Sequence, residues 1–287
     1  MNKLPDGKRA QILHMLVEGS SLRAVARVAD VSFNTVIKLQ FEAGEACQAF
    51  HDANVRNVSA KRIQCDEIWS FIFAKDKNAK QEMKIAGTAG SVWTWTGIEA
   101  QSKLIISYLV GNRGSECALA FIQDLASRIT DRPQITTDGL PSYVTAIDEI
   151  FGLDVDFAQL IKVYSESPDA GPERKYSPGI CTGAHGKRIT GRPDARHVST
   201  SYVEKHNQSM RQHMRRFTRL TNAHSKKLEN HCASLALYFV YYNFVRINSA
   251  VRMAPAMAAG ISDRLWEMKD LLVMVDAYHA AKAQNSN

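Results

Sequence analysis

Asp66 lies inside the run RIQCDEIWSFIFA, flanked by Cys65 and Glu67 and surrounded by bulky apolar residues. A strand of that composition rarely buries a carboxylate unless something pairs with it. Asp138 ends the short run PQITTDG and precedes Gly139. Glu204 stands at the head of the basic stretch STSYVEKHNQSMRQHMRRFTRL. Three acids brought together repel one another and raise one another's pKa until a cation intervenes. Hard oxygen ligands select Mg²⁺ or Mn²⁺. Two such ions ~3.5–4 Å apart can activate a water or hydroxyl on one side of a phosphodiester and stabilise the leaving oxygen on the other. Each acid also has a plainer reading. Asp138 before glycine can be a turn aspartate, and Glu204 can be a first-turn acid favoured by the helix dipole. Glu67 competes with Asp66, because alternation puts the two on opposite faces of a strand.

The residues after Glu204 bear on the choice. Asn207 and Arg211 follow it by three and seven positions, so all three share one face of a helix. An acid beside an amide and a guanidinium suits a metal held next to a phosphate. Arg215, Arg216 and Arg219 extend the stripe and are expected to contact the DNA backbone without reading sequence. The alternative is an ordinary solvated basic face.

These side chains need a scaffold to bring them together. Runs at 62–74, 91–100 and 103–111 are rich in Ile, Val, Trp and Phe and read as strands. Residues 115–129 show helical period, 133–139 a short strand, 140–152 a helix closing on Gly152, and 155–164 a fifth strand. The order β-β-β-α-β-α-β followed by a helix predicts an α/β fold: a ribonuclease H-like mixed five-stranded sheet with flanking helices. In that topology the first and fourth strands are neighbours and the final helix crosses near them. Ahead of it, 8–19 reads as a helix. Ser21 and Ser32 are expected to cap two further helices around a turn at Asp30-Val31. That is a small all-α helix-turn-helix domain, with Asn34, Thr35, Lys38 and Gln40 exposed for groove contacts. A plain three-helix packing unit is the competing reading.

The predicted domains are therefore 1–50 (helix-turn-helix), 51–62 (polar linker), 63–250 (catalytic) and 251–287 (helical tail). Residues 165–198 gather Gly, Pro and Arg and are expected to form a basic insertion with little structure of its own. An apolar helix is expected at 228–247 and a last one at about 262–282. The formal charge of +7 suggests an anionic partner without identifying it. The five cysteines are scattered with no CxxC, which points to reduced thiols, a cytoplasmic chain and no zinc site. No apolar run approaches the ~20 residues of a membrane span.

The segments CDEIWSF, VWTWTGI, TTDG, STSYVEKHN, MRRFTRLTNA and YNFVR…PAMAAG together resemble the DDE transposases of bacterial insertion sequences, over about residues 61–260. The chain departs from that pattern at Asn248, where histidine is frequent, and at Ala254, where threonine is common. The resemblance implies that Asp66, Asp138 and Glu204 form a metal-binding triad. It implies cleavage at the ends of the element, exposing 3′-hydroxyls that attack target DNA, by a dimer or higher assembly on double-stranded DNA. Two other readings stay open: a ribonuclease H-like nuclease that cuts without joining, and a helix-turn-helix regulator whose catalytic domain has decayed.

Overall fold

Ser21 and Ser32 each precede a run of helical period, and each caps a helix in the computed structural model, which describes residues 3–165, 181–218 and 222–285. Ser21 Oγ accepts from the Ala24 N–H at 3.1 Å and opens α2 (Leu22–Val28). Ser32 Oγ accepts from the Thr35 N–H at 3.0 Å and opens α3 (Phe33–Asn54). Both bonds satisfy amides that a first turn leaves without partners. Before them runs α1 (Asp6–Val17), and Asp30, at φ 49, makes the turn between α2 and α3. Aspartate tolerates this left-handed conformation better than most residues.

α3 is longer than its capping signals suggest. It runs into the stretch expected to be a linker, and Val55, Val58 and Ala60 beyond it are buried. Its stripe of Val36, Leu39, Ala43, Ala46 and Cys47 is buried. Gln40 was expected on the exposed face, but it is only 6% exposed and donates to Ser234 Oγ at 3.3 Å. Gly44 lets α3 lie directly on α8 (Leu228–Val240): a Cβ there would sit 2.4 Å from Ala233 Cα.

The sheet has six strands in the order β3-β2-β1-β4-β5-β6. They are β1 (Arg62–Ile72), β2 (Gly90–Glu99), β3 (Ile105–Gly111), β4 (Gln134–Thr137), β5 (Asp156–Tyr164) and β6 (Cys181–Thr190). β2 pairs antiparallel with β1 and β3, β4 lies parallel between β1 and β5, and β6 closes the edge antiparallel to β5. The expected five-stranded sheet is thus one strand short. The sixth comes from the stretch expected to be an unstructured insertion, of which residues 166–180 lie outside the described residues. Residues 181–188 of β6 are all exposed, so no apolar alternation marks the strand, and its ladder with β5 holds it in place.

Alternation along β1 decides which side chain meets which layer. Ile63 and Cys65 join a core with Phe121 and Leu125 of α5 (Ser115–Arg128) and with Tyr143 and Ile147 of α6 (Pro141–Phe151). Ile68 faces the other way, with Val203 and Met210 of α7 (Ser201–His213) and Leu235 and Phe239 of α8. α8 turns its opposite side, including Ala236 and Leu237, to the core that holds Ala43 and Cys47 of α3. The helical unit therefore shares one apolar core with the sheet.

The remaining elements fill in around this frame. α4 (Gln81–Ile85) lies between β1 and β2, and α9 (Pro255–Ala258) follows α8. The helix expected over 228–247 leaves regular geometry after Val240, where the Arg246 N–H reaches back to Tyr241 O at 2.9 Å in a single wide turn. The last helix, α10 (Met268–Gln284), begins later than its expected start near 262. A reciprocal capping pair at Glu267 and Asp270 sets the start. α10 packs on α1 and α3, tied by the Arg9–Asp276 pair at 2.6 Å. Among the described residues, no helix is long and apolar enough to cross a membrane.

Candidate active site

β1 and β4 are in register at Gln64 and Thr136, where their pairing stops. Two residues further along, the same register places Asp66 level with Asp138. Both then stand at the open carboxyl end of β4, where parallel strands of such sheets commonly present side chains to ligands. Asp66 shares the parity of Gln64 and Ile68 and so faces α7. Glu67 points to the opposite layer, yet no β4 backbone separates the two faces beyond Thr137. Asp66, Glu67 and Asp138 each bring one carboxylate oxygen within 4.8 Å of the others.

The surroundings of these acids differ. Glu67 is buried and held from two sides. Arg113 Nε donates to its Oε1 at 2.7 Å, and the Tyr143 hydroxyl donates to its Oε2 at 3.2 Å. Burial still raises its pKa, with the Asp138 charge adding to the effect and the Arg113 and Tyr143 bonds opposing it. Arg113 also reaches Asp138 at 3.4 Å, and the Leu140 N–H donates to Asp138 Oδ1 at 3.0 Å. Asp66 accepts from the Glu67 N–H at 2.9 Å and from Asn207 Nδ2 at 2.9 Å. Neither partner is cationic. Burial, then the charges of Glu67 and Asp138, push the Asp66 carboxyl up to about 7. Protein groups thus leave a concentration of negative charge at Asp66 that a divalent cation would relieve.

Glu204 arrives from α7, within electrostatic reach of Asp66. Its carboxylate is engaged elsewhere: Oε1 accepts from Lys162 Nζ of β5 and from the Thr200 hydroxyl. Thr200 consequently gives no side-chain cap to α7. Gln64 of β1 supplies one instead. Its Oε1 accepts from the Tyr202 and Val203 N–H groups at 2.8 and 3.2 Å. Gln64 at the start of α7 and the Asp66–Asn207 bond further along therefore pin this helix to β1.

Of the three acids expected from sequence, Asp66 and Asp138 meet, and Glu67 rather than Glu204 completes the tight oxygen cluster; Glu204 stands on α7 three residues before Asn207, its carboxylate on a lysine. These hard oxygens and the unrelieved charge at Asp66 fit a Mg²⁺ or Mn²⁺ ion. Asn207 lies against Asp66 as the shared-face reading expects, and its Oδ1 is buried with no hydrogen-bond partner among the described residues. Arg211 is half-buried on the same helix.

The rest of the expected basic stripe does not follow. α7 ends at His213, and Arg215 and Arg216 lie in a separate tight turn, so they do not continue the face of Glu204. Arg215 is exposed. Arg216 donates to Gln40 Oε1 at 2.7 Å and to Ser225 Oγ at 3.0 Å. Arg219 lies outside the described residues. On α3, Asn34 and Lys38 are exposed, while Thr35 is half-buried and its hydroxyl meets Ser32 Oγ at 2.8 Å. Sequence reasoning singled out neither Gln64 nor Lys162, and only the three-dimensional arrangement gives them a role.

No protein-family model matches the sequence, and no curated protein matches it. Among solved structures, the chain is similar to piggyBac transposase in a synaptic complex with hairpin DNA. The identity is 8%, the match covers 96% of this chain and 71% of that one, and the TM-score is 0.38. It is also similar to Mos1 transposase in a paired-end complex with the left transposon end, at 14% identity over 53% of this chain and 58% of that one, with a TM-score of 0.23. Both superpositions are loose, and the functional reading rests on the acidic cluster.

Proposed function

We propose that this chain is a DDE transposase of a bacterial insertion sequence, using divalent metal to cut DNA at the element's ends and join the 3′-ends to a target. The observation that carries this reading is the meeting of Asp66, Glu67 and Asp138 oxygens within 4.8 Å, with Glu204 on the helix whose Asn207 bonds Asp66. Mg²⁺ or Mn²⁺ at these oxygens, as one ion or a pair, would activate water or a 3′-hydroxyl and stabilise the leaving oxygen. Asp66, Asp138 and Glu204 are the assigned ligands, and Glu67 is a further carboxylate at the same place. Asn207 fixes the Asp66 carboxylate. Lys162 and Arg113 supply positive charge at the edge of the cluster, where a scissile phosphate would lie.

The division of labour follows the chain. Residues 1–50 read the ends through Asn34, Thr35 and Lys38, and residues 63–250 carry the chemistry. Arg211 and Arg215 contact the phosphate backbone. Synapsis of two ends calls for a dimer or larger assembly on DNA. Cytoplasmic DNA is the expected substrate.

Asp66→Asn, Asp138→Asn and Glu204→Gln test the assignment. Each is expected to abolish cleavage of end DNA while binding persists; a variant that still cuts removes that residue from the site. Adding unlabelled target DNA tests joining. Labelled ends covalently linked to target support a transposase, whereas nicking without joined products supports the nuclease reading.

A further inference from the structure

A second cleft lies apart from the acidic cluster. The end of α1, the first turns of α2 and α3, and residues 214–216 and 222–234 line a cleft of about 620 Å³. That volume falls within the ~300–1,000 Å³ of small-molecule sites. Apolar and basic side chains line it among neutral polar ones. Leu16, Leu22, Ile37 and Met214 make an apolar floor. Phe33 at the mouth leaves 39% of its surface exposed. Arg23, Arg215, Arg216 and Lys226 supply positive charge, and no Asp or Glu is among the described residues of the lining.

Arg216 is the unusual member. Its side chain is half-buried, and its bonds to Gln40 and Ser225 involve neutral partners only. Burial alone holds its pKa down, to about 10. Guanidinium carries five N–H donors, of which these bonds use two. A cation partly withdrawn from water, with no acidic partner among the described residues, would be relieved by an anion in the cleft. The guanidinium of Arg23 lies 5.4 Å from the centre of the Phe33 ring. A cation next to an exposed aromatic face, with aliphatic side chains behind, matches a ligand that joins a phosphate to a flat ring.

Position selects the source of that ligand. Phe33 immediately precedes Asn34 on α3, the helix assigned to duplex DNA, so the cleft opens beside the duplex. Paired bases, stacked inside a helix, cannot enter an enclosed site of this size, whereas a base outside the stack can. We propose that this cleft takes a single unpaired nucleotide of DNA, its base against Phe33 and Ile37 and its phosphate against Arg215 and Arg216. The inference rests on the reading of the chain as a DNA-binding enzyme and extends it to a site away from the acids.

The test compares a labelled duplex that carries one unpaired nucleotide with its fully paired counterpart, by fluorescence anisotropy at one salt concentration without divalent metal. The wild-type protein is expected to bind the first about fivefold or more tighter, the lower range for one stacked base. Phe33→Ala removes an exposed ring, and Ile37→Glu puts a carboxylate on the floor. Each is expected to abolish the preference at an unchanged melting temperature. Equal wild-type affinity for the two duplexes overturns the inference and leaves the DNA reading standing. A preference that survives both substitutions also overturns it. Failure to bind either duplex overturns the inference and the DNA reading together.

Discussion

Replacing Asp66 by asparagine is expected to make the fold more stable while removing its activity. Burial, then the charges of Glu67 and Asp138, raise the Asp66 carboxyl from 3.8 to about 7. The sign follows from linkage. Below pH 3.8 the group is protonated folded or unfolded and contributes nothing. Between 3.8 and 7 the folded chain holds more protons than the unfolded one, so stability falls as pH rises. Above 7 the full cost is present. Three units correspond to about 4 kcal/mol. Asp66 keeps partial contact with solvent, and we take about half of that, about 2 kcal/mol, as the working magnitude. For a chain of 287 residues this is about 3 °C in melting temperature. Asparagine can keep the local bonds: its oxygen accepts from the Glu67 N–H, and a flipped Asn207 would offer its partnerless Oδ1 to the new amide. The assay is thermal melting in EDTA from pH 4.5 to 8.5, then with added Mg²⁺. Wild type should lose stability towards pH 8 and regain it with Mg²⁺, because an ion that binds only the folded state stabilises it. Asp66→Asn should melt higher than wild type at pH 8 in EDTA and respond little to Mg²⁺. A variant less stable than wild type at pH 8 without metal would refute the argument that Asp66 stores unfavourable charge.

Other consequences are equally direct. Gln64→Leu strips the acceptor from the Tyr202 and Val203 amides, so it should cost about 1–3 kcal/mol and reduce cleavage, measured by urea unfolding and nicking; Gln64→Glu, which keeps an acceptor, should recover most of the stability. Gly44→Val would drive a side chain into Ala233, where even a Cβ meets Cα at 2.4 Å. It should separate α3 from α8 at a cost of about 1–3 kcal/mol or more, read as a lower melting temperature. Arg9, then Lys3, hold the Asp276 carboxyl down to about 2. The pair therefore stabilises the fold fully above the unfolded value of 3.8 and loses that contribution as pH falls through 2. Asp276→Asn should melt lower than wild type at pH 6, with the gap closing near pH 2.

The first five strands and the helices α5 and α6 between them were legible because each run pairs a clear period with a turn signal. Asp66 and Asp138 were legible for a related reason: an acid in an apolar strand and an acid at a strand end are both out of place without a ligand. Glu67 was harder to assign. Alternation sends it to the far face, and it rejoins the cluster because β4 stops at Thr137, a boundary that periodicity does not fix. β6 stayed hidden because its side chains are exposed, so only backbone pairing defines it. Arg215 and Arg216 looked continuous with Glu204 until the helix ended at His213, and no Gly or Pro marks that break. Gln64 and Lys162 are ordinary polar residues in strands, and their roles come from contacts with residues 138 and 42 positions away.

The most direct test of the central claim is cleavage of a labelled duplex carrying the DNA that flanks this protein's own gene. Wild-type protein and Asp138→Asn are compared with Mg²⁺ or Mn²⁺ and with EDTA. Metal-dependent nicking at the element boundary is expected, and it should disappear in EDTA and in the variant. Nicking that persists in Asp138→Asn would place the chemistry outside the acidic cluster. Specific binding without any nicking would leave a DNA-binding regulator in place of an enzyme.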